Sequence, residues 1–170
     1  MSRFVLPYLR MTARHQPYML RLNYHHEMLS AATYPLAAAL AEGAFAAVVA
    51  AKYFDASKGL VAVITAAPMF GNIMALVWAE MARNRPLVKF VNQLQLGVIL
   101  TIAAVALTVF LPLHLGGWVF AALIIAARVF AAGIVTVRST IWRYNYPRHM
   151  RGQVVARINM IATAVLATTT

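Results

Sequence analysis

The chain has 170 residues, 62% of them hydrophobic and only 11% charged, whereas an ordinary soluble domain is roughly 25% charged and 45–50% apolar. That composition sets aside a soluble globular domain and points to a membrane protein. The formal net charge of +11 does not by itself mark a nucleic-acid partner, because such binding needs cations gathered into a patch or stripe, and these fall between long apolar runs; with no cysteine, a disulfide framework and a Cys-based zinc site are excluded as well.

Residues 1–28 carry Arg3, Arg10, Arg14 and Arg21 together with Pro7 and Pro17, and lack the apolar stretch and small-residue cleavage site of a secretory signal. At 100° per residue the four arginines fall within about 40° of one another around a helix axis. A basic helix lying on anionic headgroups is one reading. The two prolines favour the other, a loosely ordered basic tail. The pair His25 and His26 beside Glu27 does not make a metal site, since adjacent residues do not share a helical face and no second ligand cluster is visible.

From residue 29 onward the chain reads as a transmembrane helical region. A spanning helix needs about 20 mostly apolar residues to cross about 30 Å of hydrocarbon. The predicted spans are about 32–51, 60–79, 90–111 and 118–137, with a fifth beginning at 154 and running to 170. The first ends at the polar loop "KYFDASKG", and the second contains Pro68, which frees a backbone carbonyl and kinks the helix. The stretch "PLHLGG" between the third and fourth spans reads as a tight connection, and "RSTIWRYNYPRHMRGQ" as a basic, aromatic loop at headgroup level. Trp78, Trp118, Trp142, Tyr144 and Tyr146 stand at predicted span ends, where interfacial anchoring is expected.

Short loops make successive helices antiparallel, so cations can be counted by side. Segments 1–28, 83–89 and 138–157 hold twelve Lys or Arg against two in segments 52–59 and 112–117. Loops enriched in Lys and Arg are cytoplasmic, which predicts a cytoplasmic amino terminus; the expected location is a plasma membrane, the inner membrane of a bacterium.

The pattern of a cytoplasmic amino terminus, very short loops and basic connections after the second and fourth spans resembles the start of a major facilitator superfamily transporter. The stretch "GNIMALVWAEMARNRP" from Gly71 to Pro86 is similar to that family's second-to-third-loop signature: Gly71 at the close helix approach, Glu80 where the family has an aspartate, Arg83 and Arg85 as the basic cluster, and Met81 where it has an arginine. "YPRHMRGQ" is similar to its fourth-to-fifth-loop pattern, with Arg151 and Gly152 in the Arg-Gly positions, and "EGAF" at Glu42 to Phe45 places a small residue within the first helix. The resemblance covers about residues 30–157. It implies an all-α, polytopic bundle forming an incomplete amino-terminal half, a truncated product or fragment whose partner is the missing carboxyl-terminal half of the same protein. It also implies alternating-access transport of a small-molecule solute, with a proton as coupling ion among the options, and no catalysis or cofactor.

Two charges fall near the middle of predicted spans, Glu42 in the first and Arg128 in the fourth. Insertion scales put such a residue at roughly 2.5–3.5 kcal/mol at mid-depth, so it normally faces a cavity or a partner. The two stand at similar depth, and the family's first and fourth helices line its central cavity. An ion pair opened by substrate or proton is the functional reading. A permanent buried pair, or a Glu42 kept protonated by desolvation, is the structural one. Thr65, Asn72 and Asn159 are weaker polar candidates, with interhelical hydrogen bonding by Asn72 the packing alternative. Gly43, Ala47, Gly71 and Gly133 read as small residues that let helices approach closely. No phosphate-binding loop, dinucleotide turn, serine-nucleophile elbow or zinc-protease helix is present, which leaves a non-transporting membrane scaffold or assembly protein as the alternative to a transporter.

Overall fold

The computed structural model describes residues 27–32 and 43–169. The basic segment 1–26, the first part of the first predicted span and Glu42 lie outside the described residues. All regular structure among the described residues is helical. Besides the helical residues 27–32, the helices are α1 (Gly43–Tyr53), α2 (Lys58–Thr65), α3 (Ala67–Arg83), α4 (Leu87–Leu107), which tightens into a 3₁₀ turn (Thr108–Phe110), α5 (Leu113–Asn145) and α6 (Arg148–Thr169).

Two segments are long and apolar enough to cross a membrane, Leu87–Phe110 and Leu113–Asn145, and α2 with α3 makes a third if the bent pair is one span. Their apolar residues are not hidden inside the protein. Only 17% of the apolar window of Leu87–Phe110 is buried, and on α3 Ile73 and Leu76 are 69% and 81% exposed. A water-facing surface of that kind would be a large apolar patch; against lipid tails it is the ordinary outer face of a spanning helix. Two or three helices are thus long and apolar enough to span a membrane, consistent with an integral membrane protein.

The chain divides into two compact units, Ala38–Ile141 and a second made of Met1–Ala37 with Trp142–Thr170. In the first, α1 ends where Asp55 takes a left-handed conformation (φ 47), which short polar side chains tolerate. The turn is closed by the Ala56 N–H donating to the Ala50 carbonyl at 3.1 Å. Ser57 then caps α2, its hydroxyl accepting from the Leu60 N–H at 3.3 Å. The predicted loop at 52–59 thus shrinks to 54–57, and Phe54 within it is buried. It packs with Ala46, Ala50, Leu60, Ile64 and Phe120.

The second predicted span breaks at Ala66 by 42°. Pro68 is the cause: it has no N–H for the Ile64 carbonyl and its ring crowds the preceding turn. The chain recovers with a tight Met69 N–H to Ala66 carbonyl bond at 2.9 Å. Proline is tolerated at the first turn of the helix it starts, so α3 continues undisturbed to Arg83.

Two expected loops are corrected. "PLHLGG" is not a connection: only Leu111 and Pro112 separate the 3₁₀ turn from α5, and Gly116 and Gly117 lie in its first turns. Their missing Cβ atoms make room for Phe54, whose ring carbon would stand 2.7 Å from a Cβ at Gly116. "RSTIWRYN" is also helical, as the end of α5. Charge does not stop a helix; the first breaker is Pro147, and the residue before a proline is pushed out of the α region, so α5 stops at Asn145. Its 33 residues extend about 50 Å, well beyond the hydrocarbon thickness.

The fifth predicted span forms a helix, α6, but not one that reaches the apolarity of the other spans. Gln153, Arg157 and Asn159 interrupt it. In the second unit α6 buries Val154 and Ile158 against Ala31 and Tyr146, with Met28, Trp142 and Ile161 at the edge.

Candidate functional site

Arg128 stands 15 residues into α5, roughly 23 Å along its axis, with apolar helix on both sides. The preceding turn carries Ile124 and Ala127, both fully buried. The following one carries Ala132 and Gly133, where three helices meet. Gly71 of α3 sits directly on the Arg128 backbone, since a Cβ there would lie 3.0 Å from the Arg128 carbonyl oxygen and 3.1 Å from the Ala132 Cβ. One helical face further, seven residues on, the Trp78 indole N–H donates to the Val129 carbonyl at 2.9 Å. Its ring lies 6.1 Å from those of Phe90 on α4 and Phe130 on α5. Gly133 completes the contact, its Cα facing Leu94 and the Trp78 ring so closely that a Cβ would be 3.0 Å from each.

The close approach expected of Gly71 and Gly133 is thus present, and Ala47 is buried in the core around α1. Trp78 is corrected: it is 8% exposed and serves helix packing, not the membrane interface. Tyr146 is likewise buried, whereas Trp118 and Tyr144 are exposed as anchors would be. Spacing held the signal for Trp78, because position 78 shares a face with position 71.

Arg128 itself is half-buried. Among the described residues it makes no ion pair, and its buried Nε–H finds no acceptor. Neither Thr65 nor Asn72 supplies one. Both are exposed, and the Thr65 hydroxyl donates to its own helix at the Val61 carbonyl, 2.9 Å away. Asn159 is also exposed, in the other unit. Other hydroxyls in the spans turn back in the same way: Thr101 bonds the Gly97 carbonyl and Thr136 the Ala132 carbonyl, each at 2.9 Å.

The residues expected in the conformational loops are at helix ends. Glu80 and Arg83 form an exposed ion pair at 3.7 Å within the last turn of α3, and the Arg85 guanidinium lies over the Phe90 ring, 5.3 Å from its centroid. Arg151 reaches back from the first turn of α6. Its Nη2 donates to the Arg143 carbonyl at 2.8 Å and the Tyr146 carbonyl at 3.2 Å. These are carbonyls that the end of α5 leaves without intrahelical partners, and a cation is favoured there. Gly152 is open, with nothing within 4 Å of a Cβ.

A separate groove of about 460 Å³ lies between α1, the end of α4 and α5. It is walled by Val48, Phe54, Val105 and Val109, with Lys52 and Tyr53 at its edge, and Arg128 is not among its lining residues. No group of His, Asp or Glu among the described residues is placed to hold a metal ion. Set against protein-family models, curated proteins and solved structures, the chain matches none of them.

Proposed function

We propose that this chain is part of a secondary transporter that moves a small solute by alternating access, built on the major facilitator pattern that its loops resemble, with its amino terminus in the cytoplasm. The observation that carries the reading is Arg128: a guanidinium kept in the middle of a 33-residue apolar helix without an ion-pair partner among the described residues. Intramembrane cations are retained where they face a water-filled path or a ligand. The Pro68 break adds support, since interrupted helices are the elements from which transporters build midplane sites. A non-transporting scaffold is the second reading, favoured by the dry packing of Trp78, Phe90, Phe130 and Gly133 next to Arg128.

The chain has no cysteine, so Arg128→Cys introduces a unique thiol. In sealed right-side-out and inverted vesicles, a membrane-impermeant thiol reagent is expected to label it from both sides. Protection in both orientations refutes transport and supports the scaffold.

A further inference from the structure

Resting on the transporter reading, we propose that Arg128 is the binding residue for a solute that carries a carboxylate. The acids that the structure describes in Ala38–Ile141 are engaged or remote. Glu80 is paired with Arg83 nine residues beyond Gly71, roughly 13 Å along α3, and Asp55 is exposed in the turn between α1 and α2. The hydroxyls of Thr101 and Thr136 are spent on carbonyls of their own helices. The next cation along α5 is Arg138, ten residues on. Among the described residues the site therefore offers one isolated guanidinium and matches a ligand with one negative group.

Geometry narrows the class. Guanidinium is a planar fork, and Nε–H with the neighbouring Nη–H presents two parallel donors that match the two oxygens of a carboxylate. In Arg128 the Nε–H is buried and has no acceptor, so a carboxylate reaches the fork only where the packing around it opens. The Arg128 main chain is fixed by Gly71 at 3.0 Å and by the Trp78 bond to Val129 one residue on. The fork is thus carried by a rigid helix pair, the arrangement in which a single charged contact orients a ligand best.

Ala131 lies one turn beyond Arg128 on the same face and is half-buried. Ala131→Cys in the cysteine-free chain is reacted with two methanethiosulfonates of similar size, one carrying a sulfonate and one a trimethylammonium group, with Arg128 present and in the Arg128→Gln background. The anionic-to-cationic rate ratio is expected to be at least tenfold higher with Arg128 than with Gln. Sodium acetate at matched ionic strength is expected to slow the anionic reagent only in the Arg128 protein. Equal ratios in the two backgrounds, or no protection by acetate, overturn the carboxylate assignment while leaving a wet path and the transporter reading intact. Failure of both reagents to react overturns both.

Discussion

Gly71→Ala tests whether α3 and α5 meet through missing side chains. The added Cβ would be 3.0 Å from the Arg128 carbonyl oxygen and 3.1 Å from the Ala132 Cβ, both tighter than ordinary contact and both fixed to the backbone of a long helix. Neither neighbour can rotate away, so the helices must part by a few tenths of an ångström, an overpacking that typically costs about 1–3 kcal/mol. Alanine also gains helix propensity of about 0.8–1 kcal/mol over glycine, which offsets part of the loss. A double-mutant cycle with Ala132→Gly removes that ambiguity, because propensity changes cancel in the coupling term. Ala132→Gly relieves the Cβ contact but not the carbonyl one, so the double variant is expected to exceed the sum of the singles by about 1 kcal/mol, within the range for residues in contact. Reversible unfolding in mixed detergent micelles, followed by circular dichroism, reads all four proteins. Additivity within about 0.5 kcal/mol would show that Gly71 and Ala132 do not touch and would refute the packing of α3 on α5.

Two further outcomes follow from the same geometry. Trp78→Phe keeps an aromatic ring near Phe90 and Phe130 but removes the donor to Val129, for a loss of about 0.6 kcal/mol and at most about 1.7; Trp78→Ala is expected to lose about 3–5 kcal/mol, whereas Trp118→Phe, at a side chain 66% exposed, should be near neutral by the same unfolding assay. Arg151→Met frees the Arg143 and Tyr146 carbonyls at about 0.3–1 kcal/mol, seen as faster hydrogen exchange across residues 142–152 with 90–133 unchanged. Arg151→Lys, a point charge without the fork, should recover only part of the protection.

The helical character, with helices long and apolar enough to span a membrane, was legible from residue order alone, because a run of apolar residues of spanning length has few other uses. So were the Pro68 break, which follows from a missing N–H, and the close approach at Gly71, which follows from a missing Cβ. Loop boundaries were not. The paired glycines at 116 and 117 read as a turn, yet they are where Phe54 enters the helix surface; the basic stretch after Val137 read as a loop, yet nothing in it breaks a helix before Pro147.

What residue order determined is therefore local: which segments avoid water, where a backbone donor or side chain is absent, and that a permanent cation interrupts the apolar run of α5. What tertiary structure alone decided is partnership. Only packing shows that Trp78 turns inward to the Val129 carbonyl, that Arg151 closes the end of α5, and that the Arg128 Nε–H has no acceptor among the described residues. The physical reason is that hydropathy scores one residue against solvent, whereas a hydrogen bond or a Cβ contact belongs to two residues that can stand 51 positions apart, as Trp78 and Val129 do.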